Sequence, residues 1–297
     1  MNQFIKIIVG VLSVVAATSV ASAQQSSKAP NSLAPLSSGI PQLDKFAAPA
    51  KGSEVTYSHS TIRLVPGEFA NGSWTVGVEM ILEPGWKTYW RVPGDAGVPS
   101  EFIWKKSSNV KSADVSWPAP SRYEDITGKS TGYKNQVVFP VKITPANPGQ
   151  PAVLDLQLYY AVCSDICIPA QANLGLDLPL DLKDPQSMDL IREFAAIVPR
   201  PDAKGIRVEK IKAVSIDGKT VLAVTLTGKV DPKTDILVEG FEEAFFDAPE
   251  FSRAENGKQI FHLPIDGIDN TAELTGKSLK LTVLSGEIRL EANVEVN

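Results

Sequence analysis

AVLDLQLYYAVCSDICIPAQANLGLDLPL, residues 152–180, alternates apolar and polar side chains on both sides of a short polar break. A period of two marks a half-buried β-strand, so AVLDLQLYYAV (152–162) and ANLGLDLPL (172–180) both read as strands. The break holds Cys163 and Cys167, the only two cysteines among 297 residues. Three residues separate them, which keeps both sulfur atoms on one turn.

The β pattern extends in both directions. WTVGVEMIL (74–82) and NQVVFPVKI (135–143) behave similarly, and Pro/Gly clusters such as VPGDAGVP and PANPGQP separate them as turns and loops. KDPQSMDLIREFAAIVPRP (183–201) departs from it. Asp184 is a candidate N-cap with Pro185 at the first helical position. Met188, Ile191, Phe194, Ala195 and Val198 recur at helical spacing until Pro199 and Pro201 end the run. Beyond it, RVEKIKAVSIDGKTVLAVTLTG and FSRAENGKQIFHLPI each read strand–turn–strand around Asp217-Gly218 and Asn256-Gly257. SLKLTVL and IRLEANVEV form a closing pair around Ser285-Gly286. The expected fold is all-β, with two immunoglobulin-like β-sandwich domains joined by a short helix. The segments expected are a sandwich over 54–182 that carries the cysteine pair, a helical linker over 183–203 and a second sandwich over 204–297.

The chain opens MNQFIKIIVGVLSVVAATSVASAQQ. One cation, Lys6, precedes an apolar run, and Ala21-Ser22-Ala23 closes the segment. This reads as a signal peptide over 1–23, cleaved after Ala23, and predicts export of a soluble protein into a compartment where disulfides persist. Residues 24–53 are rich in Ser, Ala, Pro and Gln and read as a disordered lead-in. Net charge is −5, with no basic stripe, so nucleic acid is not an expected partner.

Three roles compete for the cysteine pair. A structural staple gains little here: closing ~5 residues stabilises by roughly 2 kcal/mol, against ~3 for a 15-residue loop. A metal site lacks ligands: His59 and His262 are far away in sequence, as are the thioethers Met80 and Met188. Two thiolates still make Cu(I) a candidate guest. A redox-active dithiol needs one attackable sulfur and a neighbour that resolves the mixed disulfide. The spacing is not C-x-x-C and the setting is not βαβ, so the pair is no thioredoxin motif.

Three stretches in order, PGWKTYWRVPGDAGVP (84–99), VSWPAPSRYEDITGKSTGYKNQVVFPVKI (115–143) and LQLYYAVCSDICIPAQANLGLDLPL (156–180), resemble the amino-terminal periplasmic domain of the DsbD thiol-disulfide interchange family and of its ScsB-type, copper-tolerance-linked relatives. The resemblance implies an immunoglobulin-like fold and electron transfer through Cys163 and Cys167, with Cys167 engaging partners and Ile168-Pro169 continuing the motif. It implies a cap loop over the disulfide in YEDITGKSTGY (123–133), with Ile126 where the family has an aromatic residue, Glu124 and Asp125 before it, and Thr127 and Gly128 after it. Family members also carry tyrosines in the segment holding Tyr89. The implied partners are a membrane thiol reductase of DsbD/CcdA type and thioredoxin-like exported proteins. No cofactor and no resident metal are implied. DsbD members have a longer insert between the cysteines, and they continue into transmembrane and thioredoxin-like domains that the present sequence does not contain. Exchange is therefore expected to need a separate membrane reductase. A non-catalytic binding module, docking a partner or handling copper with a structural disulfide, is the alternative.

Other motifs carry less. GKST (128–131) lacks the glycine a phosphate loop needs five residues earlier, where Tyr123 stands. NGS (71–73) has the form of a sequon. GFEEAFFDAPEF (240–251), which includes Glu242 and Glu243, reads as a strand with solvated carboxylates or as a docking patch.

Overall fold

Period-two alternation becomes sheet over most of the described residues. A computed structural model describes residues 52–94, 97–126, 128–241 and 243–297. The expected signal peptide, nearly all of the lead-in, Thr127 and Glu242 lie outside the described residues.

The first sandwich uses eleven strands: β1 Glu54–Tyr57, β2 Ser60–Ala70, β3 Ser73–Leu82, β4 Lys87–Gly94, β5 Glu101–Ile103, β6 Val110–Val115, β7 Ser121–Asp125, β8 Gly128–Lys134, β9 Gln136–Pro145, β10 Ala152–Cys163 and β11 Cys167–Leu178. One sheet runs β1-β2-β3-β9-β6. The facing sheet runs β11-β10-β4-β8-β7, with β5 paired to β10. Inward residues of both fill the core: Trp74, Val76, Val78 and Met80 of β3 meet Trp90 of β4 and Leu154, Leu156, Leu158 and Val162 of β10. Asn71-Gly72 turns β2 into β3 with both residues at positive φ (51° and 77°), which the two-residue hairpin geometry demands.

Helix α1, Pro185–Ala196, follows. The Asp184 carboxylate caps it by accepting from the Ser187 amide at 3.1 Å. The sequence suggests a connector, and the helix also closes the outer face of the first sandwich. Its apolar stripe, Met188 and Ile191, packs on Val65 of β2 and Val138 of β9. Among the described residues no helix is long and apolar enough to cross a membrane.

The second sandwich uses β12 Ile206–Ile216, β13 Lys219–Gly228, β14 Asp235–Glu239, β15 Phe245–Phe246, β16 Glu250–Glu255, β17 Lys258–Asp266, β18 Ser278–Ser285 and β19 Ile288–Glu295. One sheet runs β12-β13-β17-β15 with β16 on β17, and the other runs β14-β18-β19. Leu222, Val224, Phe261, Leu263, Leu281 and Val283 form its core. The protein is thus all-β, two immunoglobulin-like sandwiches with a short helix between them.

Both sandwiches belong to one compact unit. Leu237 of β14, only 4% exposed, joins the core of the first sandwich. The chain between α1 and β12 also bonds to the second sandwich, with the Arg200 amide donating to the Arg289 carbonyl and the Glu291 amide to the Arg200 carbonyl, both at 3.0 Å.

Ile191→Ala should lower unfolding stability by about 2–4 kcal/mol, the usual cost of a truncated core aliphatic. Urea denaturation measures it. A loss below about 1 kcal/mol would show that the helix is not anchored through this face.

Candidate functional site: a disulfide at the end of a β-hairpin

Cys163 ends β10 and Cys167 begins β11, and the two face each other as the last pair of the ladder. They are disulfide-bonded, with Cα atoms 4.2 Å apart. That suits a non-hydrogen-bonded antiparallel pair, whose usual spacing is ~4.5 Å. Ser164, Asp165 and Ile166 make the turn, and the Ser164 amide donates to the Ile166 carbonyl at 3.0 Å.

Strand alternation then decides the faces. Val162 points into the core, so Cys163 and Ala161 point away from it. On β4, Trp90 is a core residue, so Tyr89 and Lys87 lie on the opposite face. Tyr89, Ala161 and Cys163 form a small separate cluster there.

The two sulfur atoms are not equivalent. Cys163 is 0% exposed, whereas Cys167 is an exposed residue. The Tyr89 hydroxyl donates to Cys163 Sγ at 2.6 Å and lies 3.4 Å from Cys167 Sγ. Burial first, and then the negative charge of Asp125, push the Tyr89 hydroxyl above its usual pKa, so it remains a donor at neutral pH. Two glycines make room for this tyrosine. A Cβ on Gly132 would come within 1.9 Å of the Thr88 carbonyl oxygen, and one on Gly97 within 2.6 Å of the Tyr89 ring.

Lys87 is the ladder neighbour of Cys163 across β4 and β10. It is only 1% exposed, and its Nζ lies 2.7 Å from Asp125 Oδ2. The registers show what this contact requires. Lys87 pairs with Lys134 at one end of β8, and Asp125 pairs with Gly128 at the other. The β7–β8 hairpin therefore curls back until its tip reaches the strand beside the disulfide.

The other expected residues are placed as follows. Glu124 is exposed on β7 opposite Lys129, and Gly128 opens β8 at φ 109°. Ile126, at the hairpin tip, is 82% exposed. Ile168 packs on the core opposite Val162, and Pro169 is exposed opposite Ala161. Ile166, inside the turn, is 64% exposed beside Cys167. The tyrosine thus touches the disulfide, Asp125 reaches Lys87 beside it, and Ile126 is exposed at the hairpin tip. His59 stacks on Trp86 with ring centroids 3.9 Å apart, and His262 lies on β17. Among the described residues no group of three or more His, Cys, Asp or Glu stands together to hold a metal ion.

Lys87 is the residue that sequence reading missed. Its signal is a lone lysine inside the aromatic run GWKTYW, where strand alternation gives it the same face as Tyr89. With it, the site has a chemical polarity. Cys167 is exposed, whereas Cys163 is buried with the Tyr89 hydroxyl on its sulfur atom and Lys87 as its ladder neighbour.

Residues 62–179 match the family model described as thiol:disulfide interchange protein DsbD, N-terminal. They form a DsbD-type N-terminal domain. The cysteine pair, Tyr89, Lys87 and Asp125 all lie within it. Residues 197–297 match a model described as a domain of unknown function, DUF8393. The crystal structure of the N-terminal periplasmic domain of ScsB from Proteus mirabilis superposes with a TM-score of 0.65 at 22% identity, over 82% of this chain and 97% of that one. At that identity the likeness speaks for the fold. A conserved domain protein from Bacillus anthracis aligns at 10% identity over 77% of this chain and 75% of that one, with a TM-score of 0.22 that carries no argument. No curated protein matches the chain.

Tyr89→Phe keeps the ring and removes the donor. Reduction of the disulfide by excess dithiothreitol should slow by about tenfold, the worth of one hydrogen bond to a charged acceptor. Alkylation of released thiols over time gives the rate, and an unchanged rate would remove the hydroxyl from the chemistry.

Proposed function

We propose that the DsbD-type domain passes electrons by thiol-disulfide exchange in the periplasm, between a membrane thiol reductase and exported disulfide partners. The observation that carries this reading is the asymmetry of the pair: Cys167 exposed at a hairpin end, Cys163 buried against the Tyr89 hydroxyl.

In the reduced form, the Cys167 thiolate attacks a partner disulfide. A mixed disulfide forms, and one partner sulfur leaves as a thiolate. Cys163, giving up its proton, then attacks Cys167 Sγ. The partner departs with both its sulfur atoms reduced, and the Cys163–Cys167 bond closes. Two electrons have moved to the partner. Recharging runs the same steps backwards: a reductase thiolate attacks Cys167, Cys163 leaves as a thiolate beside Tyr89 and Lys87, and a second reductase thiol releases the dithiol. No cofactor enters either direction.

Support comes from the family match over the segment that holds the site and from the leader-like start of the chain. The solved structure it resembles is described as a periplasmic domain, which fits the same compartment. The superposition on that structure spans 82% of this chain, more than residues 62–179 alone.

Cysteine trapping tests the reading in cells. Cys163→Ala should accumulate a partner held on Cys167 as a reducible adduct on a non-reducing gel, and Cys167→Ala should not. Equal absence of adducts, together with a pair that stays oxidised with and without a membrane reductase, would favour a non-catalytic binding module.

A further inference from the structure

The second sandwich meets the site-bearing sheet through charge, and the charges run in one direction. Arg91 of β4 makes a two-pronged bond to Glu239, Nε to Oε2 at 2.9 Å and a terminal nitrogen to Oε1 at 2.6 Å, and the same terminal nitrogen also bonds Glu291. Arg122 of β7 bonds both oxygens of Asp235, at 2.9 and 3.1 Å, and donates to the Ile236 carbonyl at 2.8 Å. Lys129 of β8 bonds Asp247. Every cation belongs to the first sandwich and every carboxylate to the second. Asp247 feels burial pushing its pKa up, but the bonds from Lys129 and the Ala248 amide hold it below the usual range, while Lys129 is raised, chiefly by its hydrogen bond to Asp247. Both stay charged at neutral pH.

Two of these three cations sit on the β7–β8 hairpin, one on each strand. The same hairpin sends Asp125 to Lys87 beside Cys163. It is therefore gripped on one side by the second sandwich and on the other by the strand next to the disulfide. We infer that the second sandwich is a clamp: through Asp235 and Asp247 it holds the β7–β8 hairpin against the disulfide strand and so sets how readily the Cys163–Cys167 bond is reduced. Arg122, Lys129, Asp235 and Asp247 are positioning residues in this scheme, since none of them touches a sulfur atom.

The sign follows from what the hairpin does. Held down, it keeps Asp125 on Lys87, the ladder neighbour of Cys163. Released, it withdraws that carboxylate from the strand beside the disulfide. Less negative charge beside a departing thiolate favours its release. That change speeds reduction.

This inference rests on the exchange reading for its biological meaning, but its test needs no partner protein. The variant is Asp235→Asn/Asp247→Asn in the full chain, with Asp217→Asn/Asp269→Asn as a charge-matched control on exposed positions. Reduction by excess dithiothreitol should accelerate about fivefold or more in the former, the size by which two part-exposed ion pairs can shift a local opening equilibrium, and stay unchanged in the control. Amide exchange over residues 121–134 should quicken in the same variant. The swap Lys129→Asp/Asp247→Lys should return both readouts toward wild type relative to Asp247→Lys alone, which a general loss of stability would not do. An unchanged or slower reduction rate, or faster reduction with unaltered exchange in the hairpin, overturns the clamp. Either result leaves the cysteine-trapping outcome free to stand or fall by itself.

Discussion

The twelve-pair ladder between β10 and β11 decides where the sulfur atoms stand. Leu154, Leu156, Leu158 and Val162 commit one face of β10 to the core. Burying those four side chains fixes the register, because a slip by one residue would turn all of them to the other face. Cys163 is then forced onto the face opposite the core. Its partner at the start of β11 falls at the strand end, where the turn leaves it open. The inequality of the two sulfur atoms is a consequence of strand parity and chain reversal, with no special loop required.

The same parity operates on β4. Trp90 anchors the core face, so Tyr89 and Lys87 emerge together on the disulfide face. A buried lysine costs heavily unless it is paired, and among the described residues Asp125 lies 2.7 Å from the Lys87 ammonium. The hairpin that supplies Asp125 curls back to deliver it. The ion pair thereby ties a surface hairpin to the strand beside the disulfide.

Much of this was legible in the sequence, and the gaps have physical causes. Alternation in AVLDLQLYYAV, the Asp217-Gly218 and Asn256-Gly257 turns, and the Asp184-Pro185 helix start are local signals written within a few residues, and all-β sandwiches follow from them. The stretch NGS, with its sequon form, contains the Asn71-Gly72 turn between β2 and β3, a local signal just as plain. Lys87 was not legible, since its importance comes from a cross-strand neighbour 76 positions away, at Cys163. The exposure of Ile126 was not legible either: the cap resemblance rests on sequence position, whereas packing depends on how far the hairpin curls. Among the described residues the acidic run at 240–251 forms one ion pair, Asp247 with Lys129, which a list of carboxylates could not pick out.

Net charge hides the arrangement that joins the domains. A value of −5 averages over a face of the first sandwich that offers Arg91, Arg122 and Lys129 and a face of the second that offers Asp235, Glu239, Asp247 and Glu291. Apolar contact at the junction, represented by Leu237 in the core of the first sandwich, resists sliding without choosing an orientation. Charge pairs choose it, because each needs one partner at one place. Partly exposed pairs are individually weak and sensitive to salt. A junction built from them can hold the hairpin firmly under ordinary conditions and still yield locally, which a wholly apolar seam of the same extent could not do without exposing its surface to water.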